Sequence, residues 1–189
     1  MVDRMVRAAR ADVMLYEEVE AAPTLTQEAY TIVGIIAVIN AISGLLLGMA
    51  TNTNPILTAI GQFIGTFAGY FVFAYLAYFI GTRVFGGTAN AGEVQRTLGY
   101  AYTPQILAGV LLLLGVVPVL GILASCLAII PALWTLYLGF VAIRQALDIG
   151  SGQALLTALL AIIAQVIISA IILSVLGINM MGAAAVTGS

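Results

Sequence analysis

The sequence predicts an all-α fold: a polytopic membrane helix bundle of five transmembrane helices, with the N-terminus inside and the C-terminus outside. Three observations carry this. The 189 residues are 62% hydrophobic and only 7% charged, where soluble domains carry about 25% charged residues, so a water-facing surface cannot be assembled from this inventory. The charges fall in clusters, leaving residues 29–82, 97–143 and 149–189 without Asp, Glu, Lys or Arg. All six basic residues are arginines at positions that five crossings bring to one side, which the positive-inside rule makes cytoplasmic.

The elements follow in order. Residues 1–22 read as a cytoplasmic amphipathic helix lying in the interface. Val2, Met5, Val6, Ala9, Val13 and Tyr16 form one stripe, and Asp3, Arg7, Arg10 and Glu17 line the other side. Its basic start suits anionic headgroups. Its acidic end, "YEEVE", is free to meet a basic partner or the loop arginines Arg83 and Arg96. Pro23 stops this helix, and Thr24 with Gln27 can cap the next.

A helix crossing about 30 Å of hydrocarbon needs about 20 residues. The first uncharged gap holds spans 29–50 and 56–80, joined by "TNTNP". The second holds a short span, 105–117, and a longer one, 120–144, which Pro131 is expected to kink. The third holds span 154–176, and residues 178–189 form a short extracytoplasmic tail. Residues 23–177 thus make one membrane domain.

Between spans two and three, "FGG" supplies a turn, and Asn90 with Glu93 forms a capping box. Val94, Leu98 and Ala101 repeat at helical spacing while Glu93, Gln95 and Arg96 point elsewhere. This describes a short interfacial helix ending at Pro104. Its segment reads either as a connector with snorkelling arginines or as a face that docks a partner.

Candidate functional residues fall into three groups. Gly44 and Gly48 in span one and Gly61, Gly65 and Gly69 in span two, with Asn40, have the spacing that lets helices approach closely. They read as packing between spans one and two, with homo-oligomerisation as the alternative. Arg4, Arg7, Arg10, Tyr16, Glu17, Glu18, Arg83, Arg96 and Arg144 make up the cytoplasmic face toward partners or lipids. Gln62, Gln165 and Ser169 form a candidate polar cluster at membrane depth.

Several function classes are excluded. Histidine is absent, so neither an HExxH zinc site nor a Ser/His pair can be built. No Asp lies within a span, which removes an aspartyl intramembrane protease. Six scattered arginines do not hold nucleic acid. No catalytic residue, metal site or cofactor is indicated. The lone Cys126 reads as a packed, inert membrane thiol.

The stretches "YEEVEAAPTLTQEA", "GTRVFGG", "LGYAYTPQIL", "LWTLYLGFVAIRQAL" and "SGQALLTAL", in this order around five spans, resemble the Yip domain family of Ypt/Rab-interacting membrane proteins. The compact prokaryotic branch is the most similar. The resemblance implies a non-catalytic scaffold or adaptor whose partners are membrane lipids and other membrane proteins or a second copy of itself. It also implies a multi-pass protein of the prokaryotic cytoplasmic membrane, or of endomembranes if the source is eukaryotic. Eukaryotic members act in vesicle trafficking and bind Rab-type GTPases through a region with an Asp-Leu-Tyr-Gly-Pro motif. This chain lacks that motif, although Gly99–Tyr100 matches the second family motif, so the resemblance does not extend to GTPase binding. A small accessory subunit of a larger complex, or a transporter for a neutral solute built on Asn40, Gln62 and Gln165, remain alternatives.

Overall fold

A computed structural model describes residues 1–51, 53–114 and 118–175, without the side chains of 118, 119 and 169–175. The tail at 178–189 lies outside the described residues. The elements are α1 (Val2–Ala9), α2 (Val13–Ala21), a 3₁₀ turn (Pro23–Leu25), α3 (Thr26–Ala50), α4 (Pro55–Phe85), α5 (Ala91–Ala101), α6 (Pro104–Leu114), α7 (Pro118–Ala146) and α8 (Ser151–Val175). Four of these, α3, α4, α7 and α8, are long and apolar enough to cross a membrane. Helices α5 and α6 meet that test only together, as a pair bent by 46°.

The bend follows from local chemistry. Pro104 has no N–H to continue the helix and disfavours helical backbone at Thr103. The carbonyl of Tyr100 instead accepts from the Thr103 amide at 3.1 Å and from the Thr103 hydroxyl at 2.7 Å. By itself α6 is 11 residues, about 16 Å, roughly half the hydrocarbon thickness. The expected third span therefore reaches crossing length only if α5 and α6 count as one bent span.

The short helix expected between spans two and three is present as α5, but it is packed into the bundle. The capping box is formed, with Asn90 Oδ1 accepting from the Glu93 amide at 3.1 Å and Glu93 Oε2 from the Asn90 amide at 2.7 Å. Beyond it, however, α5 is buried from Arg96 to Ala101. It is wedged among α2, α3, α4 and α7, and Gly99 sets its approach to α3, since a Cβ there would sit 2.8 Å from the Ala29 Cβ.

The N-terminal segment also differs. It is two helices, not one, because Ala11 takes a left-handed φ of 57° and Asp12 starts a second helix by accepting from the Met14 amide at 3.1 Å. The resulting hairpin folds over α5 and α7. Thr24 and Gln27 make no cap. Leu25 precedes α3 without a side-chain cap, and the Thr26 hydroxyl donates to the Pro23 carbonyl at 2.8 Å.

The chain's charged residues all cluster where α3 and α8 begin and α4 and α7 end. The densest core sits at this end: Leu15, Tyr16, Val19, Ile32, Val94, Leu98, Tyr100, Leu138, Ile143 and Leu147 are fully buried. Away from it the outward residues include Ile56, Ile64, Ile122 and Ile163, side chains that suit contact with lipid. Helix α7 runs without a break through Pro131. Cys126 is exposed on it, a correction to the packed thiol expected.

Candidate functional site

The charged end is built around two anchors. The first is Glu28, in the opening turn of α3. It accepts from the Tyr100 hydroxyl of α5 at 2.6 Å and from Arg4 Nη1 of α1 at 3.0 Å, and the N-terminal ammonium lies 3.5 Å away. Three elements distant in sequence thus meet on one carboxylate. Sequence reasoning missed Glu28 because it placed the first span from residue 29. The available signal was its position as the last charge before a long uncharged run.

The second anchor is Arg96. Its guanidinium is buried and donates from Nε to the Val19 carbonyl at 3.2 Å and from Nη2 to the Glu20 carbonyl at 2.6 Å. These are carbonyls of the last turn of α2, where intrahelical partners run out: the Val19 oxygen is shared with the Ala22 amide at 3.3 Å, and a cation there also complements the helix dipole. Arg96 therefore meets the backbone of the acidic segment, not its carboxylates, and it does not snorkel.

Around these anchors the remaining residues expected on this face are distributed unevenly. Arg4 Nε also reaches Glu18 at 3.4 Å. Arg7 pairs with Asp12 at 2.8 Å and with Glu18 at 3.0 Å. Arg4 and Arg7 are thus ion-paired within the protein, Arg4 to α3 as well as to α2. Tyr16 is buried, its hydroxyl donating to the Ala8 carbonyl at 3.3 Å. Glu17 accepts from Gln145 Nε2 at 3.2 Å. Arg144 contacts Gln145 Oε1 at 3.1 Å and the Ser151 hydroxyl at 3.4 Å. Arg10 and Arg83 are exposed. Trp134 Nε1, unforeseen in the sequence, donates to the Ala9 carbonyl at 2.7 Å and ties α1 to α7.

Ionisation follows these contacts. The hydrogen bond from Arg7 holds Asp12 below the usual carboxylate range against the effect of burial. Glu18 is lowered in the same way, first by Arg7 and then by Arg4, against burial. Glu20 goes the other way. Burial first, then repulsion from Asp148, Glu93 and Glu17, pushes it up to about 7, with Arg96 opposing in part.

The residues expected at helix contacts divide. Gly44 and Gly48 lie where α3 meets α4: an added Cβ would fall 2.9 Å from the Thr58 carbonyl oxygen at the first and 2.6 Å from the Pro55 Cα at the second. Asn40 donates to the Thr66 hydroxyl at 3.0 Å across the same pair. Gly61 and Gly65 have nothing within 4 Å of a built Cβ, so their expected packing against span one does not occur. Gly69 instead faces α8, where Gln165 Nε2 donates to its carbonyl at 3.2 Å.

The polar cluster does not assemble either. Gln62 is exposed, its Cγ lying where a side chain on Gly44 would go, while Gln165 sits between α4 and α8. The Ser169 side chain lies outside the described residues. Among the described residues no group of three His, Cys, Asp or Glu could hold a metal.

A bundle of long apolar helices, with its charges gathered into one folded layer, defines a multi-pass integral membrane protein. Residues 14–185 match the family model described as the Yip1 domain. The chain belongs to the Yip1 domain family, and α1 lies outside the matched residues. Comparison with curated proteins gives no match, and comparison with solved structures gives none either.

Proposed function

We propose that the protein is a non-catalytic membrane scaffold or adaptor, whose charged layer is cytoplasmic and receives a partner protein or shapes the bilayer. The supporting observation is how that layer is constructed. A buried arginine, a shared carboxylate and an indole hold the hairpin α1–α2 in one orientation. The hairpin then presents Met14, Glu17 and Glu18 outward, and Arg83 and Val84 are exposed where α4 ends. A fixed rim of exposed apolar and charged side chains suits recognition better than a loose connector would. The partner class is a membrane or membrane-associated protein with a complementary surface.

Extraction in mild detergent followed by native mass spectrometry tests this reading. A second polypeptide at fixed ratio is expected, lost in Met14→Asp and Glu17→Arg while the bundle stays folded. A lone monomer that also leaves liposome shape unchanged would sink it.

A second reading, an accessory subunit of a larger membrane complex, is favoured by α4. There Gly61 and Gly65, one turn apart, stand open between exposed Ile60 and Ile64. Small residues of this kind admit a neighbouring transmembrane helix. Gly65→Leu would then release the complex without unfolding the subunit.

A further inference from the structure

We infer that a cavity between α7 and α8 is a binding site for an uncharged amphiphile, an apolar chain ending in a hydroxyl or carbonyl group. The cavity measures about 250 Å³ and is walled by α4, α7 and α8, with the α5–α6 bend as its floor. Its rim includes Leu136, Leu155 and Leu159, all exposed on the lipid-facing side of the bundle. The opening is therefore lateral, into the bilayer.

Gly139 indicates that the space is kept open. It is buried inside α7, two turns before its end, yet an added Cβ would meet nothing within 4 Å. Glycine is among the poorest helix formers, and here no close helix approach requires it. Gly44, Gly48 and Gly99, by contrast, each touch a neighbouring helix. A glycine whose missing side chain leaves only a void makes room for something from outside the chain.

The floor and far wall set the chemistry of the occupant. The bend turns Tyr102 and Gln105 toward the cavity, and Gln165 lines it from α8. Gln165 commits its Nε2 to the Gly69 carbonyl, leaving Oε1 as an acceptor. Among the described residues, the side chains of Tyr102 and Gln105 have no hydrogen-bond partner and no fully occluded side-chain N or O lacks one, so their polar atoms are reachable from open space. Polar groups held at membrane depth are costly unless satisfied, and an incoming hydroxyl or carbonyl would satisfy them. No Arg, Asp or Glu lines the cavity, which disfavours a phosphate, carboxylate or ammonium headgroup. The volume is just under the roughly 300–1,000 Å³ that encloses a whole small molecule. It accommodates the polar end of a longer molecule, with the tail leaving into the bilayer.

The test uses the full chain in nanodiscs, photolabelled with a diazirine-bearing hexadecanol and mapped by peptide mass spectrometry. Labelling is expected on α7 near Gly139 and on α8 near Leu159. Unlabelled hexadecanol should compete, while hexadecane and hexadecyl phosphate should not. Gly139→Leu should fill the cavity and lower labelling at least about tenfold at unchanged helical content. Tyr102→Phe and Gln105→Leu should each lower it about threefold to tenfold, the range for one hydrogen bond in a membrane bundle. Those two variants decide the matter if Gly139→Leu fails to fold. Equal competition by hexadecane, or labelling indifferent to both polar variants, would reduce the cavity to a crevice filled by bulk lipid and overturn the proposal.

Discussion

Arg96 shows why a charge can sit inside this protein. Burying an arginine is costly unless it is hydrogen-bonded, and here the partners are the Val19 and Glu20 carbonyls in the last turn of α2, where intrahelical partners run out. Each side of the contact satisfies the other. Arg96→Met is therefore expected to cost roughly 1.5–3 kcal/mol, the usual worth of hydrogen bonds to a charged group. The loss should appear as faster hydrogen exchange in α2, with α3 and α4 unchanged. Arg96→Lys would retain the charge but not the two-pronged geometry, and intermediate protection is expected.

Glu20 gives the same layer a pH dependence. Its folded-state value of about 7 lies above the roughly 4.3 of an unfolded glutamate, so the folded state holds the proton more tightly. Stability from this group is present at low pH and is lost as pH rises from about 4.3 through about 7. Asp12 and Glu18, both lowered, act oppositely: their contribution is present at neutral pH and lost on acidification below the ordinary carboxylate range. Docking of the hairpin should thus be firmest near pH 5, loosen as the pH rises to about 7 and level off above it. Glu20→Gln is expected to flatten that upper limb in a pH series of thermal unfolding. An unchanged slope would assign it to another group.

Among the elements, the glycines of α3 and α4 make opposite predictions from the same spacing. Gly48→Ala drives a Cβ into the Pro55 backbone and should destabilise the bundle by about 1–3 kcal/mol, as overpacking does. Gly65→Ala meets open space and should be neutral or stabilising by up to about 1 kcal/mol through helix propensity. Thermal unfolding in one detergent separates the two. The hairpin offers a further test, because Glu28 is the carboxylate that α1 and α5 share. Glu28→Ala should speed tryptic cleavage after Arg4, Arg7 and Arg10 several-fold while the bundle's own peptides stay protected.

For the molecule as a whole, the spans were legible because charge is excluded from hydrocarbon. The gaps from Ala29 to Thr82 and from Thr97 to Ile143 are direct readings of that exclusion. Helix contacts were less legible. A repeat of four aligns Gly61 and Gly65 as well as Gly44 and Gly48, and only the rotation of α4 decides which stripe meets a neighbour. The charged layer was hidden for another reason: Glu28 and Tyr100 are 72 residues apart, and no periodicity links them. The break at Ala11 could have been suspected from Asp12, a good cap followed by apolar residues. The burial of α5 could not, since Arg96 reads as polar until α2 is seen to end against it.

The shortness of α6 also bears on how the protein is made. Eleven residues form too brief a segment to be released into lipid as an independent stop in the insertion machinery. The α6–α7 hairpin, whose two arms pack on each other, should instead enter the bilayer as one unit after both arms have left the ribosome. A topology reporter fused after residue 117 is then expected to give mixed orientations. One fused after residue 148 should give a single orientation, and clean translocation at the earlier fusion point would show that α6 inserts unaided.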